Sequence, residues 1–147
     1  MTDSSSLQPA IRVVMMPRDA NYLGTIFGGI ILSHIDLAGA VEAQGRSDRK
    51  LVTAAMREVK FIAPVFVGDL VSFFTETVNL GTTSVTIRVT VEAKRAKPPY
   101  EIVRVTQADV VYVAVNDAGQ PVAVRPERRS PEVVETLAAS LQLGNYD

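Results

Sequence analysis

The stretch Asn21–Gly39, NYLGTIFGGIILSHIDLAG, decides the fold. It reads as a glycine-marked turn running into a helix that is apolar almost all round, beginning near Gly28 and ending by about Gly45. Such a helix is normally buried. One carboxylate, Asp36, stands in its middle, and a carboxylate taken out of water needs a partner or a task. Gly28 and Gly29 lie about two turns ahead of Asp36, where a helix N-terminus offers backbone N–H groups with no intrahelical acceptor. A carboxylate base beside an N–H cradle is a layout suited to hydrolysis.

Outward from this segment the pattern turns to strands. Ile11–Met15 precedes it and is stopped by Pro17, after which PRDANYL is a loop of turn formers. Beyond the polar loop GRSDRK, strands are expected over Leu51–Val59, Leu70–Leu80, Thr83–Lys94 and Glu101–Val115. They are broken at Pro64, Gly68-Asp69, Gly81 and Pro98-Pro99. The third of these alternates closely, with Val85, Ile87, Val89, Val91 and Ala93 on one face and Thr86, Arg88, Thr90, Glu92 and Lys94 on the other. Residues 1–9 read as a loose arm, 10–128 as one domain and 129–147 as a tail. Ser130 followed by Pro131 caps a short helix in that tail. One helix followed by a run of turn-joined strands is an α+β layout, an antiparallel sheet with helices on one face. Open sheet edges and a helix without a polar face favour dimerisation.

Composition narrows the chemistry. The chain has 147 residues and a formal net charge of −1, so no global basicity points to nucleic acid. It has no cysteine, which excludes thiolate catalysis, disulfides and Cys-based zinc sites. A single histidine excludes a multi-His metal centre within one subunit. No apolar run approaches the ~18 residues of a spanning helix. The first ten residues, MTDSSSLQPA, lack the layout of a signal peptide. The expectation is a cytoplasmic protein without membrane partners.

The pattern D-A-N-x-x-G-x-x-F-G-G-x-x-x-x-x-x-D, from Asp19 to Asp36, resembles the hotdog-fold acyl-CoA thioesterases. Within them it is closest to the bacterial acyl-CoA hydrolase branch typified by YciA, related to the mammalian cytosolic acyl-CoA hydrolases. The resemblance continues through Val52-Thr53, Phe61, Pro64-Val65, Val67-Gly68-Asp69, Gly81-Thr82-Thr83-Ser84 and Tyr112-Val113-Ala114-Val115, and covers most of Met15–Arg125. It implies a helix wrapped by an antiparallel sheet, a double-hotdog dimer and often a trimer of dimers. It implies acyl-CoA as substrate, with coenzyme A part of that substrate and no separate cofactor or metal.

The resemblance also implies roles for particular residues. Asp36 is implied to be the general base for water, or a nucleophile; the plainer reading is a helix Asp bonded to Ser33 or to a neighbouring subunit. Asn21 is implied to orient water or thioester opposite the Asp of a partner subunit; a turn asparagine is the plainer reading. Gly28 or Gly29 suits an oxyanion hole, close packing at a helix start being the alternative. Thr53 matches the family's threonine and could touch the attacking water, or be an ordinary strand residue. Thr82, Thr83, Ser84, Arg88 and Lys94 carry the hydroxyls and cations that suit the phosphates of CoA, or are a turn and a solvated strand face. His34 falls two residues before Asp36, nearly opposite on a helix, and reads as a packing residue.

The sequence therefore points to an acyl-CoA thioester hydrolase. Two rivals remain: a hotdog dehydratase, which needs a histidine converging with a carboxylate, and a non-catalytic acyl-CoA binding or assembly module, which has no use for Asp36.

Overall fold

The computed structural model describes residues 7–125. The expected tail helix at Ser130-Pro131 and most of the expected N-terminal arm lie outside them. The elements are β1 (Ile11–Val14), α1 (Gly28–Gln44), β2 (Lys50–Arg57), β3 (Leu70–Leu80), β4 (Ser84–Lys94) and β5 (Ile102–Val115), with one 3-10 turn at Pro17–Asp19. Each expected strand is present, its ends shifted by two residues or fewer, because turn residues mark the breaks on both sides.

The strands form one five-stranded sheet in the order β1-β3-β4-β5-β2, every pair antiparallel. The core is the alternating face of β4 set against α1. Val85, Ile87, Val89, Val91 and Ala93 are fully buried, and Ile31, Ile35, Ala38 and Ala43 come down on them from the helix. α1 packs chiefly on β3 and β4. This is the α+β hotdog arrangement, a curled antiparallel sheet around a central helix.

One chain covers only one side of α1. Leu37 and Val41, one turn apart, remain 59% and 57% exposed. β2 is an edge strand, and Val52 on it is 40% exposed. Large aliphatic groups beside an unpaired strand edge make a self-complementary surface for a second copy. None of the helices in the described residues is long and apolar enough to cross a membrane.

Candidate active site

Asp36 is held from two directions by neighbouring strands. The Thr53 hydroxyl donates to Asp36 Oδ1 at 2.7 Å, and the Tyr112 hydroxyl donates to the Asp36 main-chain carbonyl at 2.6 Å. Thr53 and Tyr112 face each other across β2 and β5, just before a register shift between Thr53 and Ala55. Bulges commonly re-aim side chains beside functional sites. One hydroxyl fixes the carboxylate and the other fixes the helix turn that carries it. Among the described residues Oδ2 takes no hydrogen bond, so one carboxylate oxygen is free to accept a proton.

Tyr112 itself is buried, and burial pushes its phenol above the ordinary range. The Asp36 charge and its hydrogen bond to Asp36 act in the same direction. It is therefore a hydrogen-bond donor, not a base. Gly39 makes the contact possible: a Cβ there would collide with the Tyr112 hydroxyl and come within 3.1 Å of ring carbons Cε2 and Cζ. In the sequence Tyr112 stood out only as part of a resemblance; its role depends on β5 packing against α1, which local spacing does not encode.

At the other end of α1 the helix starts without a side-chain cap. The amide of Phe27 goes to the Asp19 carbonyl at 2.9 Å and that of Ile30 to the Phe27 carbonyl at 3.0 Å. The Gly28 and Gly29 amides between them have no acceptor among the described residues. Gly28 lines a mainly apolar cleft of about 310 Å³, between Thr25–Ile31 and the segment Phe61–Val65.

Asn21 closes the loop ahead of the helix. Its Oδ1 accepts the Leu23 amide at 2.9 Å and the Thr25 amide at 3.3 Å, and its Nδ2 donates to Thr25 Oγ1 at 3.0 Å. Gly24 turns the loop at φ +88°, a conformation glycine adopts without a Cβ penalty. At the tip Tyr22 is 95% and Leu23 70% exposed. The structure thus gives Asn21 the turn role, in a loop that projects from the chain.

The structure does not bring the remaining candidates into one place. Thr82, Thr83 and Ser84 form the β3–β4 turn, where the Thr82 and Thr83 carbonyls accept the Val124 and Ala114 amides. Lys94 stands at the far end of β4, about 33 Å away at the rise of an extended strand. Arg88 is spent on a two-pronged pair with Asp109 at 3.0 and 3.3 Å. That pair, more than the neighbouring charge of Glu76, raises its pKa. Within one chain strand length separates Lys94 from Thr82–Ser84 and Arg88 is paired with Asp109, so a single protomer does not gather these candidates into one phosphate site. Asp36 does not bond to Ser33, whose hydroxyl goes to the Ile30 carbonyl at 2.8 Å. His34 stacks on Phe73 with ring centroids 5.5 Å apart and bonds the same Ile30 carbonyl through Nδ1, a packing role.

Asp36 and Gly28 cannot serve one carbon within a single chain. Eight residues of helix separate them, about 12 Å along the axis, whereas a base and an oxyanion donor must each come within about 3 Å of the reacting group.

The chain also resembles known proteins in sequence and in fold. Residues 23–98 match the thioesterase superfamily. The acyl-CoA thioester hydrolase YciA of Escherichia coli (strain K12) is 37% identical over 119 residues, 80% of this chain and 90% of that protein. Its counterpart in Salmonella typhimurium is 36% identical over 113 residues, 76% and 85% of the two chains. Among solved structures, a hexameric hotdog fold thioesterase of Campylobacter jejuni superposes with a TM-score of 0.74 at 40% identity, over 87% of this chain and 94% of the other. A hexameric thioesterase from Yersinia pestis gives 0.74 at 35% identity, over 80% and 94%.

Proposed function

The chain belongs to the thioesterase superfamily, in the branch of YciA-like acyl-CoA thioester hydrolases, and we propose that it hydrolyses acyl-CoA at a site assembled from two copies of itself. The observation that carries this is the eight-residue helical separation, about 12 Å, between two complementary halves. One half is a carboxylate held by Thr53 with Oδ2 open; the other is the uncapped amide pair at Gly28 and Gly29. Antiparallel pairing of two α1 helices about Leu32, with β2 beside β2, sets the Asp36 of one protomer toward the Gly28 amide of its partner, since Gly28 and Asp36 each lie four residues from Leu32. A twofold pairing makes two such sites. It also covers exposed aliphatic side chains, each worth about 1.5–3 kcal/mol when fully buried.

In this reading Asp36 Oδ2 takes a proton from water as its oxygen attacks the thioester carbonyl carbon. The negative charge that develops on the carbonyl oxygen falls to the Gly28 N–H, which is already aimed and needs no reorganisation. Collapse breaks the C–S bond. CoA leaves as a thiolate that takes the proton back from Asp36, which restores the base, and the free acid remains. The Asn21 loop, held by its bonds to Leu23 and Thr25, shapes the entrance from the partner side. The apolar cleft beside Gly28 receives the arm of the thioester. Action in the cytoplasm is part of this proposal. The protein is further proposed to form dimers or a multiple of them, as the two hexameric relatives do.

A free-thiol assay across short, medium, long and aromatic acyl-CoAs tests the reading. The wild type releases CoA, and Asp36→Asn loses about 10²-fold or more in kcat while still binding acyl-CoA. Near-normal turnover by the Asn variant would remove the mechanism. Binding without hydrolysis by the wild type would make the chain a carrier module.

A further inference from the structure

The segment joining β2 to β3 sets an aromatic ring beside the proposed oxyanion amide, and the hydrolytic step gives that ring no task. A Cβ built on Gly28 would stand 3.8 Å from both Cε2 and Cζ of Phe61. Phe61 is 46% exposed. A single exposed aromatic is common and means little by itself. This one is distinguished by how firmly its backbone is held.

β2 ends at Arg57, opposite Asp109, and beyond that pair residues 60–62 run along β5. Both peptide groups that flank Phe61 are tied there. The Lys60 carbonyl accepts the Thr106 hydroxyl at 2.7 Å, and the Ile62 amide donates to the Val105 carbonyl at 2.8 Å. With both peptide planes held, the two backbone torsions of Phe61 between them are held as well. The ties fall at an irregularity in β5: Thr106 pairs with Val91 and Arg104 with Glu92, so Val105 has no partner on β4. Bulges of this kind bend a strand and re-aim its groups. Thr106 is 1% exposed. A buried hydroxyl needs a partner, and among the described residues the Lys60 carbonyl is the one it has.

The space in front of the ring suits an alkyl chain. Buried Ile26, Ile31 and Val65 floor the cleft beside Gly28, and Phe61 is one of its walls. A carbonyl oxygen at about 2.9 Å from the Gly28 nitrogen brings the carbons next to that carbonyl within reach of a ring edge this close to Gly28. We infer that Phe61, positioned by the Thr106 hydroxyl, is the residue that sets acyl selectivity: the first few carbons of an aliphatic acyl chain lie on its ring, and an acetyl group is too short to use it. The inference rests on the hydrolase reading and on Gly28 as the amide that takes the carbonyl oxygen.

The test is the ratio of kcat/KM for hexanoyl-CoA to that for acetyl-CoA, with the thermal transition of each variant run beside it. Phe61→Ala is expected to lower the ratio about tenfold or more, the worth of roughly two buried methylenes. Thr106→Val keeps the volume and removes the hydroxyl; it should lower the same ratio about threefold or more, although Thr106 touches no substrate. Thr106→Ser keeps the hydroxyl and should stay within about twofold. Phe66→Ala removes a similarly exposed ring from the same segment, one that lies under Arg95, and should also stay within about twofold. A general loss of fold lowers both substrates together and leaves the ratio where it was. The inference is overturned if Phe61→Ala keeps the wild-type ratio, or if Phe66→Ala loses as much. It is equally overturned if Phe61→Ala raises KM for both substrates alike, which places the ring on the pantetheine arm. An unchanged ratio in Thr106→Val removes the positioning role. A wild type that releases no CoA refutes the hydrolase reading instead. Calorimetric titration with the same two thioesters then reads the ratio as binding constants, and a loss confined to hexanoyl-CoA in Phe61→Ala leaves the wall standing.

Discussion

Proline in place of Gly28 removes the proposed oxyanion donor at little cost to the helix. Gly28 is the first residue of α1, where the amide has no intrahelical acceptor and proline's missing N–H costs no helix bond. Phe27 before it sits at φ −59°, ψ 127°, a conformation that a following proline accepts. A Cβ at Gly28 meets only Phe61 Cε2 and Cζ, each at 3.8 Å, which is ordinary contact. Gly28→Pro should therefore fold and assemble as wild type. Its kcat should fall about 10²–10³-fold, or about 2.7–4 kcal/mol, the usual worth of one oxyanion donor. Gly28→Ala adds the Cβ and keeps the N–H, so it should stay within a few-fold of wild type. The assay is steady-state CoA release, with the thermal transition and light scattering run beside it. A Pro variant with near-normal kcat refutes Gly28 as donor. An Ala variant as impaired as the Pro variant shows that the site needs space there and not a proton.

Other outcomes follow from the same geometry. Gly28→Pro co-expressed with Asp36→Asn should recover about a quarter of wild-type activity: random pairing makes half the dimers mixed, and each mixed dimer keeps one intact site. No recovery, with mixed dimers confirmed by mass spectrometry, would place both groups in one chain's site. Tyr112→Phe loses one hydrogen bond to the Asp36 carbonyl and should cost about 0.5–1.5 kcal/mol in urea unfolding. The Tyr112 pKa is raised on folding above its ordinary 10.0, so the phenol's contribution is complete below pH 10 and is lost as pH rises further. The stability gap between wild type and Tyr112→Phe should accordingly narrow only in that alkaline window. Arg95→Met leaves the Asp69 carboxylate, 2% exposed, without its counter-ion and should destabilise by about 3–5 kcal/mol by chemical denaturation.

What could be read in the sequence was whatever the chain encodes locally. The alternation in Thr83–Lys94 fixed both the strand and its buried face, because period two leaves no second assignment. The glycine pair before an apolar helix located the amide cradle, because a helix start is written in adjacent residues. Local spacing could not show that Thr53 reaches Asp36 rather than water, or that Tyr112 reaches its carbonyl. Both contacts depend on β2 crossing beside β5, with 58 residues of sequence between Thr53 and Tyr112. Arg88 and Lys94 read as free cations for the same reason. The cross-strand register that sets Arg88 against Asp109 is a non-local fact.

The proposed division of the site between chains follows from how α1 is buried. A helix apolar all round cannot be covered by one five-stranded sheet, and here the sheet takes the side of Ile31, Ile35, Ala38 and Ala43. Leu37 and Val41 are left for a second copy. Asp36, half-buried, is anchored by Thr53 to its own sheet. In the proposed reading a base in that position is held by its own chain and meets its substrate where a second helix N-terminus arrives. Dimerisation and catalysis then draw on the same exposed stripe. A charge placed on it, as in Leu37→Glu, should abolish assembly and turnover together while leaving the buried face of α1 in place. Light scattering and CoA release would read the two losses. A Leu37→Glu monomer with full activity would show that one chain completes the site alone.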